Sequence, residues 1–253
     1  FASFGFSIIN LIAADPVKAS TCPGKGDTAS LNAQNTTCTT TPKVMEIKFY
    51  ELGFCTSDPL AETNFDNSTC ERSWISNSGE TADLASFSYI GLPSGQTYKV
   101  PNRQYDYAYV VFDPNWHLKG EVYFNRKTYY TDVYGMVQET SGEADASSNY
   151  DKFKLKLVDI GNVGSGCGVY ARNTSYGDVK ARLTNTNLQT LNSSSFACTT
   201  ATRMVGSVAL NTPLVMTDDV KAYQLTWVIR DFGLEATHAF GEGSPSEWKA
   251  GPF

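Results

Sequence analysis

The chain is poor in the residues that most often carry chemistry. It holds only two histidines, His117 and His238, in 253 residues. General acid–base and metal chemistry draw heavily on that side chain. No HExxH, no GxxxxGK[ST] and no twelve-residue calcium loop of the EF-hand type occurs. Gly164-Ser165-Gly166-Cys167-Gly168 is glycine-rich but matches neither a phosphate loop nor a nucleophile elbow, and reads as a turn beside a cysteine. Basic runs are absent and the formal charge is −6, which argues against a nucleic-acid partner and an anionic membrane surface. No apolar run reaches the roughly 20 residues a membrane-spanning helix needs. Beyond residue 20 no long amphipathic helix is apparent. The expectation is a protein that is not an enzyme, binds no cofactor or metal, and has no transmembrane span.

What is present points to an extracellular β protein. CxxC is missing, yet the cysteine count is even: Cys22, Cys38, Cys55, Cys70, Cys167 and Cys198. That pattern favours disulfides over metal ligands, and disulfides persist in oxidising compartments. The spacing suggests that neighbours pair: Cys22 with Cys38, Cys55 with Cys70, and Cys167 with Cys198. Candidate N-glycosylation sequons begin at Asn35, Asn67, Asn173 and Asn192. Ser and Thr are abundant enough for chance to supply most of these, so they add little to the disulfide argument.

Hydrophobic alternation recurs along the chain. In Val44 to Leu52, Met45, Ile47 and Phe49 share one face, and Glu46, Lys48 and Tyr50 the other. Tyr105 to Phe112 is aromatic and β-branched, as a buried strand would be. Lys152 to Val158 alternates Phe153, Leu155 and Leu157 with lysines, and Tyr223 to Ile229 places Tyr223, Leu225, Trp227 and Ile229 on one face. Turn residues separate these runs at Leu92-Pro93-Ser94-Gly95 and Asp113-Pro114-Asn115, the second predicting a surface hairpin with His117 beside it. The expected fold is mainly β, an antiparallel sandwich or jelly roll. A domain at 22–253 follows an extension at 1–21, with 141–149 as a long loop or a boundary between two β units. Residues 20–42 have little to bury and read as a connector pinned by Cys22–Cys38. Seven tyrosines between Tyr105 and Tyr134 suit either the margins of a core or a surface for proteins and sugars.

Residues 1–14, FASFGFSIINLIAA, carry no charge, and Asp15-Pro16 ends the pattern. Three readings remain. The stretch is a signal-peptide remnant, with Ala13-Ala14 and Val17-Lys18-Ala19 as cleavage-like sites. It is a core element of its own domain. Or it inserts into a neighbouring subunit. Alternation at Phe4, Phe6 and Ile8 fits a strand, while Ser3, Ser7 and Asn10 make one helical stripe. An opening Phe, an apolar segment and a β-rich disulfide-bonded domain together resemble pilin-like filament subunits, over Phe1 to about Ala14. Gly5 stands where type IV pilins usually carry Glu, and the segment is shorter than their helix, which favours donation of a strand. The resemblance implies an extracellular or cell-surface homopolymer whose inter-subunit contacts come from Phe1, Phe4, Phe6, Ile8, Ile9, Leu11 and Ile12. Its partners are copies of itself. The alternative is a secreted adhesin or carbohydrate-binding module that meets surface glycans.

Overall fold

A computed structural model describes residues 20–22, 37–62, 64–86, 92, 94–124, 127–133, 138–140, 150–157, 167, 169–174, 177–191, 198–220, 222–223, 229–231, 233–237 and 247–250. The strands in chain order are β1 (Ser20–Thr21), β2 (Thr37–Thr40), β3 (Val44–Cys55), β4 (Cys70–Asp83), β5 (Gln96–Thr97), β6 (Gln104–Phe112), β7 (Asn115–Lys119) and β8 (Glu121–Phe124). They continue with β9 (Lys127–Tyr130), β10 (Gln138–Thr140), β11 (Phe153–Lys156), β12 (Val169–Thr174), β13 (Gly177–Thr184), β14 (Arg203–Val215), β15 (Leu234–Thr237) and β16 (Glu247–Ala250). The fold is mainly β with antiparallel sheets, as the alternation requires.

The largest sheet has nine strands. Its spine runs β11-β7-β3-β6-β14-β13-β12, with β4 on β3 and β5 on β4. A four-stranded sheet runs β1-β2-β15-β16, and a three-stranded sheet β10-β9-β8. Strands from both sides of residues 141–149, which lie outside the described residues, share the large sheet. Every pairing is antiparallel except β1 on β2, which is parallel.

β3 is the pivot because its buried face changes along its length. Met45, Ile47 and Phe49 enter the main core with Phe112, Trp116 and Leu118. Phe49 pairs with Phe112, but Glu51 pairs with Val111, so Tyr50 is an extra residue in the strand. A bulge of this kind reverses the side-chain alternation beyond it. Glu51 and Cys55 consequently lie on the opposite face of the sheet, with Tyr109 and Val205.

Asp113-Pro114 is a kink within one strand path rather than a hairpin. β6 and β7 both pair antiparallel with β3 and run in series along the same side of it. Pro114 offers no N–H, but its carbonyl accepts from Leu157 N–H at 2.8 Å. Asp113 Oδ1 accepts from Asn115 N–H at 2.8 Å, and the Asp113 carbonyl from Trp116 Nε1–H at 3.1 Å. His117 is therefore a mid-strand residue between Glu46 of β3 and Lys154 of β11, not a hairpin residue.

Gly120 carries the chain from the large sheet into the three-stranded one. A Cβ there would lie 2.2 Å from Leu234 Cδ2, so Leu234 of the four-stranded sheet packs against this crossing and only glycine fits. Buried Thr131 fixes the crossing: its hydroxyl accepts from Gly120 N–H at 3.1 Å and donates to the Asp151 carbonyl at 2.9 Å.

The pairing of neighbouring cysteines holds for all three: Cys22–Cys38, Cys55–Cys70 and Cys167–Cys198 are disulfides. The connector reading of residues 20–42 needs correction at its end. Cys38 and Thr39 are fully buried, because β2 lies inside a sheet against β15. Of the expected strand at 223–229, Tyr223 and Ile229 are described outside any strand, and 224–228 lie outside the described residues.

Candidate functional site

Residues 1–19, with Phe1, Phe4, Phe6, Ile8, Ile9, Leu11 and Ile12, lie outside the described residues. Their point of attachment is described. β1 sits at one end of the four-stranded sheet, parallel to β2, with Cys22 N–H donating to the Thr39 carbonyl at 2.8 Å. The Cys22–Cys38 bridge fastens this end strand to the buried second strand. β16 closes the opposite end of the same sheet.

A second feature lies on the reverse face of the large sheet. The β3–β4 loop, residues 56–69, is closed at its neck by Cys55–Cys70 and folds back over its own sheet. Leu60 is 1% exposed there, and Phe65 stacks at 5.4 Å and 51° on Tyr109. The loop is braced within itself. Asp58 Oδ1 accepts from Leu60 N–H at 2.8 Å, Asp66 Oδ1 from Ser68 N–H at 2.9 Å, and the Asn67 carbonyl from Cys70 N–H at 3.0 Å. Ser68 holds the Asp66 carboxyl below the usual carboxylate range. Asp58 also forms an ion pair with Lys180 of β13.

Facing it is the 185–190 loop after β13. Asn185 Oδ1 accepts from the N–H groups of Asn187 at 2.9 Å and Gln189 at 3.0 Å. Leu188 N–H donates to the Asn185 carbonyl at 3.0 Å, and Asn185 Nδ2 to Gln189 Oε1 at 3.1 Å. This network holds Leu188 at φ 61°, a region that a side chain with a Cβ rarely adopts.

Between the two loops is a cleft of about 390 Å³ lined by Asn64, Phe65, Asn67, Asn187, Leu188 and Gln189. Its lining has side-chain amides and two apolar groups, and no ionisable side chain. It offers donors and acceptors without a proton-transfer group.

Beneath the cleft floor lies a buried charge cluster. Tyr109 donates from its hydroxyl to Glu51 Oε1 at 2.6 Å, and Arg72 Nε lies 3.1 Å from the same oxygen. The Glu51 side chain is 8% exposed, so the carboxylate depends on these partners. Burial, then the neighbouring Glu51 charge and hydrogen bond, push the Tyr109 phenol far above its ordinary value.

Arg182 sits nearby under the second loop. It is 6% exposed, its Nη1 donates to Thr190 Oγ1 at 3.3 Å, and among the described residues no carboxylate pairs with it. Burial lowers its pKa. Arg182→Met is expected to raise the urea midpoint by an amount equivalent to about 1–2 kcal/mol, because a desolvated charge gives way to an apolar chain. A loss of stability would contradict that account.

The other sequence expectations fall as follows. Asn67, exposed, lines the cleft; Asn173 is in β12 opposite Asp178; Asn35 and Asn192 lie outside the described residues. Tyr105, Tyr109 and Tyr129 are buried, and Tyr107, Tyr123 and Tyr130 half-buried, so the tyrosine stretch is largely core. The aromatic side chain at the cleft is Phe65, which the tyrosine count passes over. The signal available in sequence was the clustering of Asn at 64–67 and 185–187, which reads as turns. Among the described residues no group of His, Cys, Asp and Glu is arranged to hold a metal, and no helix is long and apolar enough to cross a membrane.

No family model, no curated protein and no solved structure matches this chain. What fold and bonding define is a class: a mainly-β, disulfide-stapled protein of the kind that matures in an oxidising compartment.

Proposed function

We propose that the protein is a structural subunit of an extracellular or cell-surface assembly, joined to the next copy by its apolar N-terminal segment. The observation that carries this reading is the attachment of that segment. It enters the fold through β1, the end strand of the four-stranded sheet, and a disulfide locks that strand in place. A pull on residues 1–14 is thus transmitted through a covalent bridge to β2 and the core behind it.

β16 lies at the opposite end of the same sheet. The end strand of a sheet is where an added strand docks. A donor at one end and an acceptor at the other make a head-to-tail contact, which repeats into a polymer. Uncharged side chains such as Phe4, Phe6 and Ile8 gain by leaving water, at about 25 cal/mol per Å² of apolar surface removed. Homopolymer formation and absence of catalysis both belong to this proposal.

The test is removal of residues 1–14. Full-length chain is expected to sediment as large species and to show filaments or sheets by negative-stain microscopy. The truncated chain is expected to stay monomeric with unchanged far-UV circular dichroism. Truncated protein that forms the same large species would remove the proposal.

A further inference from the structure

We infer that the cleft between the 56–69 and 185–190 loops is a binding site for a neutral saccharide. Nothing in this inference depends on the assembly reading, since the cleft lies on the reverse face of the large sheet and the N-terminal segment leaves from another sheet.

The lining chemistry selects the ligand class. Asn64, Asn67, Asn187 and Gln189 each carry a carbonyl acceptor and an NH₂ donor. Adjacent hydroxyls on a sugar ring present a donor and an acceptor side by side, so planar amides pair with them in both directions. Phe65 supplies the apolar part. Its ring is held against Tyr109 at a tilt of 51°, and the side chain is half-buried at the cleft. An aromatic face so held is a platform for the C–H face of a pyranose. Leu188 closes the opposite wall.

Charge narrows the class further. The lining contains no Arg, Lys, Asp or Glu, so an anionic sugar would leave water without a counter-charge. Asp58, at the base of the first loop, is engaged by Lys180. The volume of about 390 Å³ falls within the small-ligand range of roughly 300–1,000 Å³.

The first loop is fastened by a disulfide and turn hydrogen bonds, the second by five hydrogen bonds of Asn185. The left-handed Leu188 is a strained conformation maintained by its surroundings, and such residues gather at binding sites. A disulfide and turn hydrogen bonds that restrict the loops lower the entropic cost of binding.

The test uses full-length, oxidised chain made in a bacterial periplasm that does not glycosylate, so that Asn67 is unmodified. Cellobiose and N,N′-diacetylchitobiose are the probes, read by saturation-transfer difference NMR, which tolerates large assemblies. At least one is expected to give ring-proton signals that saturate in the millimolar range or below. Phe65→Ala and Asn187→Asp are each expected to weaken that binding by about tenfold or more. Asn187 is exposed, so its variant decides the matter if loss of Phe65 disturbs the fold. No signal from either probe up to about 20 mM, or wild-type affinity in the Asn187→Asp variant, overturns the inference. So does tighter binding of glucuronate than of glucose.

Discussion

Gly53→Ala is expected to destabilise the protein by about 3–5 kcal/mol, because it opens a packed strand pair and takes a phenol partner from a buried carboxylate. Gly53 faces Tyr109 across the β3–β6 pair. A Cβ at this position would lie 2.4 Å from Tyr109 Cε1 and 2.4 Å from the Glu71 carbonyl oxygen. The backbone on one side cannot yield without opening β3 from β4, so the phenol ring moves. Its hydroxyl then leaves Glu51, which keeps Arg72 alone. Tyr109→Phe isolates the electronic part of the effect: about 1.5–3 kcal/mol for a hydrogen bond to a charged group. Glu51→Gln combined with Tyr109→Phe is expected to cost less than the sum of the two single changes, since the pair is coupled. Additive costs from urea melts would contradict the coupling.

The same phenol gives a pH signature. Its folded pKa is raised, so the stabilisation is complete below the unfolded tyrosine value of about 10 and is lost as pH rises above it. Burial raises Tyr150 and Tyr223 as well. The urea midpoint is expected to fall steeply above pH of about 10, and less steeply in Tyr109→Phe.

Removal of Cys167–Cys198 by alanine substitution is expected to cost about 3–4 kcal/mol, more than removal of either other bridge. It closes the longest of the three loops, 31 residues against 16 and 15. Both of its half-cystines are buried in the main hydrophobic cluster, so packing is lost along with the constraint on the unfolded chain. The ordering of the three paired variants in urea is the measurement. A Cys55–Cys70 variant less stable than the Cys167–Cys198 variant would show that the short loop over Tyr109 outweighs chain entropy.

Parts of this molecule are legible in sequence, for physical reasons that can be named. β3 and β11 announce themselves by alternation, and β6 by an aromatic and β-branched run whose side chains enter three separate hydrophobic clusters. The disulfides follow spacing because short loops bring neighbours together. The bulge at Tyr50 leaves only a change of phase in sequence, apolar Met45, Ile47 and Phe49 giving way to Leu52 and Phe54, while the buried face switches in space. Asp113-Pro114 reads as a reversal, yet β3 offers both flanking strands a continuous partner. The cleft joins loops whose residues are more than a hundred positions apart, and no local pattern records that approach. Tyrosine count left core margin and surface both open; Tyr105, Tyr109 and Tyr129 are buried, the first two with hydroxyls bonded to the Pro101 carbonyl and Glu51.

The central claim is that the apolar leading segment seats itself in another copy. A photoreactive benzoyl-phenylalanine at position 6 tests it most directly. Irradiation of the assembled protein is expected to give a ladder of covalent dimers and higher species, with peptides from a second chain joined to the label by mass spectrometry. Cross-links confined to the labelled chain itself, in a sample mixed with isotopically heavy protein, would contradict the account.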